Sequence, residues 1–221
     1  MGIISIEQAD WLYWLGRYTE RAYTSIRIFA KSYDDMIDAQ EEDCYQDYCR
    51  QVAIPNIYES REDFLTRYPF DAENEDSIIG NLNRAYDNAI ILRESIGTEA
   101  LSYIQLAIYE MNKGTRSKAP MLELQKVLDD ILAFWGAIDD RIDSEETRNI
   151  IKAGKRIERI DIYARLRVNP DKIRREVHRM IPRVERSGLP FAQKHLDIVK
   201  ELAEIEDLDY YRILYSVENI L

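Results

Sequence analysis

The sequence predicts an all-α protein, a multi-helix bundle in which two long helices form an internal pseudo-repeat. Three observations predict it. Apolar residues recur at helical spacing along most of the chain, no run alternates apolar and polar residues between turn pairs, and a Gly-x-x-x-Glu-Arg motif occurs twice.

The first helix opens at Ser5, which stands in capping-box spacing with Gln8. Ala9, Leu12, Gly16, Thr19, Tyr23, Ile26, Ala30, Tyr33 and Ile37 follow at steps of three and four, a long seam for burial. Residues 40–76 read as an acidic connection with a short helix over 45–52 and breaks near Pro55 and Pro69, expected to be the least ordered part. Helices are predicted over 77–96 and 98–113, with 114–120 closing a hairpin. Another runs from Pro120 to about residue 143, and the next over 145–168. A further helix starts at Pro170, and Pro182 should kink or end it. Helices over 190–204 and 208–219 complete a bundle that, at 221 residues, is expected to be one domain.

With 46% hydrophobic and 32% charged residues the chain has the composition of a globular protein. Its net charge of -11 argues against nucleic acid, whose phosphates demand clustered cations. The charge is uneven: residues 40–76 carry a net of -8 and residues 152–186 a net of +7, which favours either mutual attraction or a basic surface for an anion. The opening MGIISIEQAD lacks a secretory leader, and Ile6 stands where an N-myristoyl signal has Ser or Thr. No apolar run reaches the ~18–20 residues that span a bilayer, so a cytoplasmic, unanchored protein is expected. Cys44 and Cys49 match neither zinc nor redox spacing and read as ordinary thiols.

Shifting the chain by 138 residues aligns Leu12, Gly16, Arg17, Glu20, Arg21 and Arg27 with Ile150, Gly154, Lys155, Glu158, Arg159 and Arg165. A mid-helix Gly costs about 1 kcal/mol relative to Ala, so one in each seam predicts close approach where the two helices cross. Packing about a local two-fold axis would bring Glu20 to Arg159 and Glu158 to Arg21. Two roles fit such a cluster. It is a buried latch that fixes helix register, or it is a ligand site in which Arg17, Arg21, Arg27, Lys155, Arg159 and Arg165 hold a carboxylate or phosphate, with Glu20 or Glu158 as a candidate general base.

Other constellations carry less. Asp34, Asp35 and Asp38, with Asp139, Asp140 and Asp143, form two Asp-Asp-x-x-Asp sets of the kind that hold magnesium and a diphosphate, but they do not obey the 138-residue shift and read as solvated helix ends. Neither His178 nor His195 has a Glu three residues before it, so a ferritin-like di-metal centre is not expected. Trp11, Tyr13, Trp14 and Tyr18 read as core and rim packing. No cofactor or metal is expected.

The stretches WLYWLGRYTERA (11–22), RAYDNAIILRE (84–94) and 134–167, ending in AGKRIERIDIYARLR, resemble the bacterial alpha-E domain family, helical domains with a Glu-Arg motif and no known function. The resemblance covers residues 5–168, leaving the helices of 169–221 outside it. It places the family's Glu-Arg residues on Glu20, Arg21, Glu158 and Arg159, and further family positions on Asn88, Ala89, Arg93 and Glu94, with Lys155 where an Arg is usual. Members occur beside or fused to ATP-grasp-type peptide ligases and transglutaminase-like proteins. The resemblance therefore implies an accessory or partner role in ATP-dependent peptide or amide bond formation. An enzyme in its own right is the alternative, and the chain has no phosphate-cradling Gly-rich loop of its own. A homo-oligomer is compatible with this reading.

Overall fold

The computed structural model describes residues 4–117 and 119–221. Ten helices and no strand are found among them: α1 (Ile6–Asp38), α2 (Cys44–Val52), α3 (Arg61–Arg67), α4 (Ile78–Ile91), α5 (Arg93–Gly114), α6 (Pro120–Arg141), α7 (Glu145–Arg165), α8 (Pro170–Glu185), α9 (Gln193–Ala203) and α10 (Tyr210–Glu218). Residues 1–3 of the opening stretch and Lys118 of the 114–120 hairpin lie outside the described residues.

The longest helix, α1, buries Leu12, Leu15, Gly16, Thr19, Ile26 and Phe29 along one stripe. Ser5 caps it by accepting from the Gln8 backbone N–H at 3.1 Å, while the Gln8 side chain donates to Ser95 at the start of α5 and so ties the cap to the bundle. Ser144 caps α7 in the same way, accepting from the Thr147 N–H. α1 packs against α4 on one side and α7 on the other, α5 and α6 form an antiparallel hairpin, and α8 and α10 pack on α7. The core has two apolar clusters. One is built mainly from α1 to α6, the other from α7 to α10, and Tyr13 touches both.

Several sequence expectations need correction. Residues 40–76 hold one helix more than the sequence reading gave them: α3 is capped by Ser60, and it carries Phe64 into a buried cluster with Phe29, Tyr48 and Tyr68. Aromatic burial outweighs the acidic composition there, because the acids sit on the outer faces. The break between the 77–96 and 98–113 helices falls at Leu92, with a second interruption at Gly97, whose φ of 81° only a residue without Cβ adopts cheaply. Pro182 does not end α8, which runs on to Glu185; so near the C-terminal end, its missing N–H disturbs only the last turn. α7 stops at Arg165 rather than 168, where Arg167 enters the left-handed region at φ 47°. The two oppositely charged segments do not neutralise each other. Among the described residues no ion pair joins them; Arg61 pairs with Glu42 and Arg67 with Asp63 and Asp71, while Arg156 and Arg179 pair with Glu176.

Candidate functional site

α1 and α7 cross at their glycines. A Cβ on Gly16 would collide with the Ile151 carbonyl and come within 3.1 Å of the Lys155 backbone N; a Cβ on Gly154 would collide with the Tyr13 carbonyl and come within 3.3 Å of the Arg17 N. The four contacts are reciprocal, since Tyr13 and Arg17 stand 138 residues before Ile151 and Lys155. Only glycine lets two helix backbones approach this closely.

The close approach brings the charged side chains together. Arg159 Nε donates to Glu20 Oε1 at 2.6 Å, and Arg21 Nε donates to Glu158 Oε1 at 2.5 Å. Both carboxylates are fully buried. Arg17 adds a third bond to this core, from Nε to Glu158 Oε2 at 2.6 Å, and reaches Asp161 with Nη2 at 3.2 Å. Arg165 holds the other oxygen of Asp161 at 2.5 Å and extends to Glu218 at 2.7 Å. On the Glu20 side, Thr24 donates to Oε1 at 2.8 Å, and Arg159 lies 3.7 Å from Glu176.

The two halves are not equivalent. Glu158 has both oxygens paired, whereas Glu20 Oε2 is buried without a partner among the described residues. The cause is Lys155, which stands where Arg17 stands in the first motif. Its ammonium turns to the Trp135 ring, 3.7 Å from the centroid, and forms no ion pair among the described residues. Burial is the main cause that pushes the Lys155 amine down to about 7; Glu20 opposes the shift, and Arg159, Arg156 and Lys152 add to it. For Arg17 and Arg159 burial also works against the charge, but Glu158 and Glu20 respectively outweigh it and hold the guanidiniums above their ordinary value. Burial likewise opposes the Glu176 carboxylate, yet Arg156, Arg159 and Arg179 keep it below the usual range.

One side of the crossing opens onto a cavity of about 220 Å3. It is lined by Arg21 and Ser25 of α1, by Glu158, Asp161, Ile162 and Arg165 of α7, and by Val52 to Ile54, Tyr68, Asp76 and Asn81. Arg21 spends only Nε on Glu158, and among the described residues its two Nη groups have no partner.

Of the sequence candidates, Arg17, Glu20, Arg21, Glu158, Arg159 and Arg165 meet in this network, with Lys155 beside it but unpaired. Arg27 does not join; it packs on Tyr23 and lines a separate opening with Lys31 and Lys172. Arg93 is exposed at the start of α5, away from the crossing. Sequence reasoning missed Asp161, Glu176 and Glu218. Asp161 carried a signal, because it lies three residues after Glu158 on the same helical face; the other two arrive from α8 and α10 and carried none. Asp139 pairs with Lys152 and Asp140 with Arg141, and no group of three or more potential metal ligands occurs among the described residues. His178 contacts Glu204 at the surface, and His195 packs on Tyr215. Trp14 stacks on Tyr18, and Tyr13 is partly buried against the core.

The fold is thus an all-helical bundle with a buried, reciprocal Glu-Arg crossing. The chain is a member of the Alpha-E family, a predicted alpha-helical domain with a conserved ER motif, whose model matches residues 7–189 and so takes in α8 as well. No curated protein and no solved structure matches the chain. No helix among the described residues is long and apolar enough to cross a membrane.

Proposed function

We propose that the chain is a cytoplasmic, non-catalytic partner of an ATP-grasp-type peptide or amide ligase system, and that its Glu-Arg crossing is a latch whose outer edge binds an anionic group in the adjoining cavity. The observation that carries the binding half is the divided use of Arg21: Nε is committed to Glu158, while among the described residues the two Nη groups have no partner and the residue lines the cavity. A guanidinium presented this way matches a carboxylate or phosphate. The ligase half rests on the family resemblance alone.

Full burial and pairing of Glu20 and Glu158 support the partner role over the enzyme alternative, because a general base needs a reachable oxygen near the reacting proton. The same reading takes the two motif helices as an internal pseudo-repeat, supported by the reciprocal contacts at Gly16 and Gly154.

Glutarate and inorganic phosphate test the site directly. At least one should raise the melting temperature saturably in the wild type and not in Arg21→Gln, beyond ionic-strength controls. Absence of any saturable shift would overturn the binding half. ADP release by an ATP-grasp-type ligase from the same organism, measured with and without the chain, tests the partnership; equal rates and no complex on a sizing column would overturn it.

A further inference from the structure

The cavity at the crossing has a second pole that the anion reading leaves unused. Asn81, in the first turn of α4, also lines it; the residue is 3% exposed, and among the described residues its Oδ1 has no hydrogen-bond partner. Its Nδ2 is already spent on the Ser77 carbonyl at 2.8 Å, so the orphan atom is an acceptor. Asp76 lines the same cavity, and among the described residues its carboxylate has no partner either; only its backbone N–H is engaged, by Asn74. A buried acceptor without a donor is costly, and two acceptor residues lining one cavity, one of them a carboxylate, call for a cationic donor.

The lining from α1 and α7 has the reverse character. Glu158 and Asp161 are matched by three guanidiniums, Arg17, Arg21 and Arg165, and both Nη groups of Arg21 remain for a ligand acceptor. Glu218, which also contacts Arg165, is 38% exposed and lies towards solvent. Val52, Ile54 and Ile162 contribute apolar surface to the cavity. At about 220 Å3 the space is below the roughly 300–1,000 Å3 of sites for drug-sized ligands.

We infer that this cavity binds a zwitterion of amino-acid size, its carboxylate on the Nη edge of Arg21 and its ammonium on Asp76 and Asn81 Oδ1. The inference rests on the anion-binding reading above and adds the amine end. An ammonium supplies the donors that Asn81 and Asp76 lack, and a carboxylate supplies the acceptors that Arg21 lacks, so one small molecule satisfies both groups.

The test is a thermal-shift and calorimetric screen of the full chain against the twenty L-α-amino acids, β-alanine and γ-aminobutyrate. The deaminated acid and the decarboxylated amine of the tightest binder follow. The zwitterion should bind saturably, each single-pole analogue at least about tenfold more weakly, and Asp76→Asn should weaken the zwitterion about tenfold while leaving the acid analogue unchanged. Asp76 is partly exposed at the cavity wall, so this variant leaves the buried network in place, and its far-UV spectrum and melting temperature report folding. If the acid analogue binds as tightly as the amino acid, or Asp76→Asn changes nothing, the zwitterion inference falls and the anion site stands. If no zwitterion and no acid binds, both fall; if the amine alone binds as well as the amino acid, the role of Arg21 in binding falls with both.

Discussion

Breaking the Glu20–Arg159 pair one side at a time should reveal a large coupling. The pair is 2.6 Å long, with side-chain exposures of 0% for Glu20 and 14% for Arg159. Arg159→Gln leaves Glu20 with the Thr24 hydroxyl on Oε1 and nothing on Oε2, an uncompensated buried charge, for which the expected loss is about 3–5 kcal/mol. Glu20→Gln is milder, about 1–3 kcal/mol, because Arg159 keeps Glu176 at 3.7 Å. Removing both charges at once removes the penalty that each single variant leaves behind, so the double variant should be more stable than the sum predicts by about 2 kcal/mol or more. Urea denaturation followed by far-UV circular dichroism, with coincidence against tyrosine and tryptophan fluorescence as the two-state check, measures all four proteins. Losses that add to within about 0.5 kcal/mol would show that the two motifs do not act as one unit.

Three further outcomes follow from the same geometry. Gly16→Ala and Gly154→Ala each drive a Cβ into a backbone carbonyl of the partner helix and should cost at least about 2–3 kcal/mol, whereas Gly136→Ala, exposed in α6 with open space around it, should stabilise by about 0.5–1 kcal/mol; equal effects in thermal melts would contradict the crossing. Lys155→Met should stabilise the fold at neutral pH by on the order of 1–3 kcal/mol, since the Trp135 ring compensates only part of the cost of burying the ammonium. Because the folded amine sits at about 7 against an ordinary 10.5, the unfolded chain binds more protons across that window, so wild-type stability should rise relative to Lys155→Met as pH increases from 7 towards 10; a flat difference would place Lys155 in solvent.

What the sequence made legible was whatever local spacing encodes. Steps of three and four marked α1 and α7, and the two seam glycines marked the crossing, because a helix interior tolerates Gly only where something must come close. The reciprocal Glu-Arg partners followed from the 138-residue spacing once the helices were taken to cross. The environment of equivalent positions did not follow. Arg17 and Lys155 align, yet Arg17 spans two carboxylates while Lys155 meets Trp135 of α6, and nothing in either motif names the neighbouring helix. The cavity was invisible for the same reason, since Asp76 and Asn81 reach it from a segment that composition alone suggested was loose. There the signal lay in the spacing of Tyr45, Tyr48, Cys49 and Val52, and in Phe64, which bury part of the segment despite its acids.

In the proposed function Arg21 holds the latch with one edge and a ligand with the other. Arg21→Lys separates the two, because an ammonium retains a charge for Glu158 but has no second planar edge for the cavity. Urea denaturation and calorimetric titration of this variant with the tightest-binding zwitterion, run side by side with the wild type, measure both edges at once. The account predicts a stability within about 1 kcal/mol of wild type and an affinity at least about tenfold weaker; unchanged affinity, or stability lost with affinity retained, would contradict it.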